Sequence, residues 1–114
     1  MGLELAGPGL YRILRGEEEG QLFQKYHNQL VSPGGAADLM GCSRQTIWKW
    51  AKEEKIYYFQ VVKKDHSVNA STIWIPVESL ITADLSPRYL HRQKFLADKY
   101  KDSLNVDLSK FFRT

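Results

Sequence analysis

The chain has 114 residues, 43% of them hydrophobic and 25% charged, which fits one compact soluble domain and argues against a disordered tract or a two-lobed enzyme. Its single cysteine excludes an internal disulfide framework and a multi-cysteine zinc site. The net charge is only +3, but residues 43–64 carry six basic and two acidic side chains and residues 86–114 carry seven and three, a clustering that attracts a polyanion.

No run approaches the roughly 18 apolar residues of a membrane span, and the N-terminus lacks a basic region followed by an apolar run. A reducing cytoplasm is therefore the expected compartment. Residues 1–16 mix glycines, a proline and a short apolar run from Leu10 to Leu14, which reads as an irregular arm or a short strand that pairs elsewhere. Glu17, Glu18 and Glu19 then precede Leu22, Phe23, Tyr26 and Leu30, the pattern of an amphipathic helix with an acidic first turn. Its expected role is to cover the core of the motif that follows, with the glutamates solvated.

Ser32-Pro33 ends that helix and opens the next. From Pro33 to about Glu53 the chain reads as two short helices joined by a tight turn. Ala37 suits a close crossing of the two helices, and Gly41 suits a left-handed exit from the first. Cys42 fills a small buried slot in the turn. Ser43 can cap the second helix, although Thr46 in place of Glu or Gln denies it a full capping box. Ile47 and Trp50 share one face and anchor the second helix on Ala36, Leu39 and Met40. Arg44, Gln45, Trp48, Lys49 and Lys52 form a stripe on the opposite face. These are groove-reading types: Arg matches the guanine O6/N7 edge, Gln the adenine N6/N7 edge, and Lys the phosphates. The alternative is a solvated face on a structural helical hairpin.

Residues 56–64 and 71–75 are dense in β-branched and aromatic side chains around a turn-rich tip, which predicts a β-hairpin. Both alternating faces of its first strand are apolar, with Ile56, Tyr58 and Val62 on one and Tyr57, Phe59 and Val61 on the other. The hairpin should therefore be covered twice, by the helical motif and by a terminal helix or a partner chain. Lys63, Lys64, His66 and Asn69 near its tip can reach phosphates or the minor groove, or remain solvated turn residues. Pro76 opens a short helix with Glu78 in its first turn. Ser86-Pro87 starts a longer helix to about residue 103, with Tyr89, Leu96 and Tyr100 on one side, which packs on the hairpin or pairs with a second copy. The tail, residues 105–114, holds Phe111 and Phe112, suited to a groove or to a partner.

The order helix, Gly-x-Ser turn, helix, hairpin, Ile-Pro-x-Glu-x-Leu resembles the winged helix-turn-helix of the excisionase-like and MerR-type DNA-binding families. AADLMGCSRQTIWKW at residues 36–50 and IPVESL at residues 75–80 carry the likeness, which covers about residues 31–82. It implies a winged helix-turn-helix with a two-stranded hairpin; with the helices read on either side from their own patterns, the expected fold is α+β, mainly helical, a winged helix-turn-helix with flanking N- and C-terminal helices in one domain over residues 17–104. It also implies that Arg44, Gln45 and Lys49 enter the major groove and that Lys63 and Lys64 contact the flanking backbone. With the cap and stripe, the candidate DNA-binding residues are Ser43, Arg44, Gln45, Thr46, Trp48, Lys49, Lys52, Lys63 and Lys64. Two departures stand out: Glu53-Glu54-Lys55 occupies the join where the family often has glycine, and Ser71-Thr72-Ile73-Trp74 replaces a strand that often carries arginines. For Trp48 the choices are a thymine methyl contact or packing on Tyr57 or Phe59, and packing is preferred.

The expected function is sequence-specific binding of double-stranded DNA, as a small transcriptional regulator or an excisionase-like recombination factor; the two share the same chemistry. A homodimer on repeated half-sites, or a neighbouring protein, would supply the affinity that one motif lacks. No cofactor and no metal are implied. His27, His66 and His91 are dispersed, and HExxH, P-loop and GxSxG patterns are missing, so an enzyme is not expected. The rival is a protein-interaction module that keeps the helix pair as scaffold and docks through the aromatic hairpin and Phe111-Phe112.

Overall fold

The computed structural model describes residues 3–7, 10–13, 18–61 and 72–103. They form a small α+β domain, mostly helical. In chain order the elements are β1 (Leu3–Gly7), β2 (Leu10–Ile13), α1 (Glu18–Lys25), β3 (Leu30–Val31), α2 (Pro33–Met40), α3 (Arg44–Lys52), β4 (Tyr58–Val61), β5 (Thr72–Pro76), α4 (Val77–Thr82) and α5 (Leu90–Tyr100). Short 3₁₀ turns at Pro87–Tyr89 and Lys101–Ser103 flank α5. None of the described helices is long and apolar enough to cross a membrane.

The expected hairpin is present as β4 and β5, paired antiparallel with Phe59 opposite Trp74 and Val61 opposite Thr72. Two features of the sheet around it refine the sequence reading. Of the two alternatives for residues 1–16, the strand that pairs elsewhere is the one present: the segment contributes β1 and β2, an antiparallel pair whose second strand runs parallel to β4, Leu10 opposite Tyr58 and Ile13 opposite Val61. The helix expected to continue to Ser32 stops at Lys25, and Leu30–Val31 pairs antiparallel with β5 instead. The break lies at His27 and Asn28, both left-handed at φ 55 and 63, a conformation that Asn and His tolerate better than most residues. Asn28 N–H donates to Phe23 O at 2.7 Å, closing the helix end. Leu30 still reaches the cluster that holds Leu22, so a periodicity that looked helical is met by a strand. The strand order is β1-β2-β4-β5-β3.

Both faces of the hairpin are covered, as the apolar alternation requires. On one side Ile56 and Ile75, with Tyr58 and Ile73 half-buried, join Ala36, Met40, Ile47, Trp50, Leu80 and Leu96 in the larger core. On the other, Phe59 and Val61 pack with Leu22 and Leu30, edged by Phe23, Tyr26, Tyr57 and Trp74. The second cover is thus α1, which lies across the sheet from the α2–α3 pair rather than on it. Glu19 is not simply solvated: its Oε2 accepts from the Trp74 indole N–H at 2.6 Å, and one carboxylate oxygen of Glu18 is buried without a partner.

The long C-terminal helix is present, but its support is α4 and α2 rather than the hairpin. Its buried side is Gln93, Leu96 and Ala97. Gln93 is almost fully buried, and its amide donates to Leu80 O at 2.9 Å, Ile81 O at 3.3 Å and Ala83 O at 2.9 Å. It supplies the donors that the C-terminal carbonyls of α4 lack within their own helix. Tyr57 ties the start of β4 to α4: its N–H donates to Ser79 Oγ at 2.8 Å and its hydroxyl to Glu78 Oε1 at 2.7 Å. Burial and that carboxylate push the phenol's pKa well above its ordinary value.

Candidate nucleic-acid interface

The backbone between α2 and α3 reverses over Gly41, Cys42 and Ser43. Gly41 is left-handed at φ 67, ψ 40, and the paired bonds of a Schellman motif close the helix end: Cys42 N–H to Ala37 O at 3.0 Å and Gly41 N–H to Asp38 O at 3.3 Å. Ser43 caps α3, its Oγ accepting from Thr46 N–H at 3.2 Å. The Thr46 hydroxyl lies 3.1 Å from the same oxygen, a side-chain contact that does not reproduce the return bond from Glu or Gln to the N-cap N–H in a capping box. Ala36 and Ala37 are buried, so a small residue stands at the helix contact. Cys42 is only half-buried; burial raises its thiol pKa, with the Arg88 charge opposing the shift.

Seen down its axis, α3 divides cleanly. Ile47, Trp50 and Ala51 are buried, and the Trp50 ring meets Tyr89 edge-on at 4.9 Å. On the other side Arg44, Gln45, Trp48, Lys49 and Lys52 are all exposed, with Thr46 half-buried at the border. Five of the candidate residues therefore form one outward stripe, and Ser43 sits at its N-terminal end. Lys63 and Lys64 lie outside the described residues, as do His66, Asn69 and the Phe111-Phe112 tail.

Three details of this surface were not foreseen. The first is the partner of Trp48: it packs edge-on against Tyr58 at 5.5 Å and 87°, with 40% of its surface still exposed. Packing was the preferred choice, but Tyr57 and Phe59 point to the α1 side of the sheet, so strand alternation leaves Tyr58 as the residue within reach. The second is the position of Arg44, whose guanidinium lies over the first turn of α2. A Cβ placed on Gly34 would stand 3.0 Å from Arg44 Nη2. The two border a cleft of about 580 Å³ with Ser32, Gly35, Ala37, Asp38 and Cys42.

The third detail resolves the join without glycine. Glu54 takes the left-handed conformation itself, at φ 63. Lys55 N–H donates to Trp50 O at 2.9 Å and Glu54 N–H to Ala51 O at 3.1 Å, a second Schellman closure at the end of α3. The Lys55–Glu53 ion pair beside it is long, 3.7 Å, and well exposed, so it adds little. Among the described residues no group of three or more His, Cys, Asp or Glu side chains could hold a metal.

No family model, curated protein or solved structure matches this chain.

Proposed function

We propose that this protein binds double-stranded DNA sequence-specifically, through a winged helix-turn-helix in which α3 enters the major groove and the β4–β5 hairpin serves as the wing. The observation that carries the reading is the division of α3. The face that the fold needs is buried to the last large side chain, while the opposite face offers Arg, Gln and two Lys around one aromatic residue. Those types match base edges and phosphates, and all of them remain exposed.

In this reading Arg44 and Gln45, in the first turn of α3, face base edges, and Lys49 and Lys52 face phosphates. Ser43 and Thr46 fix the helix start, and Trp48 braces α3 against β4 while its free edge borders the groove. Lys63 and Lys64 extend contact to the flanking backbone. One unit of this size makes few base contacts, so two copies on repeated half-sites, or a neighbouring protein, complete the site. A small transcriptional regulator and a recombination factor both use this chemistry.

A second reading, a docking module for another protein, draws on Leu90 and Phe95 of α5, which are 53% and 57% exposed. Selection of bound fragments from a random duplex library at about physiological salt separates the two, because non-specific phosphate binding weakens there and base readout persists. Enrichment of a short motif is expected. Failure of the folded protein to enrich any motif sinks the DNA reading and leaves the docking module.

A further inference from the structure

Arg88, in the 3₁₀ turn before α5, and Arg92, in the first turn of α5, are four residues apart, and both lie on the side of the domain that holds the turn before α3, Arg92 by direct approach and Arg88 through Tyr89. The Arg92 guanidinium lies against Gly41: a Cβ there would stand 3.3 Å from its Nη2 and 3.4 Å from its Cζ. Glycine at this position thus serves twice, allowing the left-handed turn and leaving room for the arginine. Arg88 lies over the ring of Tyr89 at 5.2 Å, and that ring is packed on Trp50 of α3. Its charge also reaches the Cys42 thiol in the turn.

Neither arginine pairs with a carboxylate among the described residues; the ion pairs there are Lys55–Glu53 and Lys101–Asp98. Both side chains are exposed. Two exposed guanidiniums with no carboxylate partner among the described residues therefore stand on the side of the N-terminal end of the α3 stripe, on elements outside the helix pair and the hairpin. Exposed guanidiniums of this kind suit phosphate oxygens, which they meet through paired N–H donors.

We infer that Arg88 and Arg92 clamp the sugar-phosphate backbone of double-stranded DNA at the edge of the groove that α3 enters. The inference rests on the DNA-binding reading above. It gives the start of α5 and the turn before it a role in docking as well as in packing: Gln93, Leu96 and Ala97 hold the helix to the domain, and the two arginines set how α3 sits over the groove. Such contacts carry no sequence information; they fix register and orientation.

The test compares the full chain with an Arg88→Gln, Arg92→Gln variant on a duplex of mixed sequence, measuring affinity across about 50 to 200 mM salt. Each phosphate-contacting cation removed should flatten the slope of log affinity against log salt by about one. The double variant should therefore show a slope shallower by about two, so that the wild type loses roughly tenfold more affinity across that range. The motif enriched by selection should be unchanged. An Arg88→Lys, Arg92→Lys variant, with both charges kept, should retain the wild-type slope; a slope as flat as that of the glutamine pair would assign the effect to packing and overturn the clamp. If the wild type binds and the glutamine pair leaves its slope unchanged, the clamp is wrong while the α3 reading stands. If the wild type binds no duplex, both fall.

Discussion

α2 and α3 begin and end alike. Ser32 caps one and Ser43 the other, accepting from Gly35 N–H at 3.0 Å and Thr46 N–H at 3.2 Å. Each closes with the same pair of backbone bonds around a left-handed residue, Gly41 after α2 and Glu54 after α3. Along their sides they differ. α2 buries Ala36, Ala37 and Met40, and its only charged residue is Asp38. α3 buries as much and also displays a cationic stripe. The difference separates what builds the pair from what the pair presents: the caps and turns recur because the backbone requires them, and the stripe occurs once.

That separation can be broken from either side. The largest expected effect on stability is that of Ile47→Ala, which empties a fully buried position and should cost about 2–5 kcal/mol in a denaturant titration. Arg44→Ala and Lys49→Ala, on the outer face of the same helix, should stay within about 0.5 kcal/mol of wild type while abolishing selective DNA binding in a competition assay. Equal losses of stability on the two faces would show that the stripe is part of the packing.

Gly41→Ala comes next. It forces a side chain into the left-handed region and against Arg92, so a loss of roughly 1–2 kcal/mol is expected by thermal or denaturant melting. Ser32→Ala and Ser43→Ala should each cost about 1 kcal/mol, and near-equal values would sharpen the likeness of the two helix starts. The smallest effect has the opposite sign. Glu54→Gly relieves about 1–2 kcal/mol of left-handed strain and returns about 0.5–1 kcal/mol of unfolded-chain entropy. The net result should be a gain of roughly 0.5–1 kcal/mol, visible as a higher midpoint in urea. A loss there would mean that Glu54 makes a contact that compensates its backbone.

Most of the helix pair was legible in the chain, because its requirements are local. A left-handed exit selects Gly41, an N-cap selects Ser43, and the 3.6-residue period separates Ile47 and Trp50 from Arg44 and Lys49. The hairpin was legible too, including its double cover. What covered the second face was not, because an amphipathic helix such as α1 states that it has an apolar side without stating which surface it meets. The parallel pairing of β2 with β4 is non-local in the same way. Leu30 misled because its spacing from Leu22 and Tyr26 suits a helix as well as the strand it occupies. Glu54 gave no sign of the left-handed turn after α3, because glycine is a preference at such a site and not a necessity. The placement of Arg92 over Gly41 left no mark in either segment alone; it exists only once α5 folds back on the turn.

Whether α3 reads base edges is decided by motif selection run in parallel on wild type and Gln45→Ala. The variant should enrich the same motif with preference lost at one position, the behaviour of a side chain that contacts one base pair. A motif identical in both, with Arg44→Ala also leaving it unchanged, would place base readout elsewhere on the molecule.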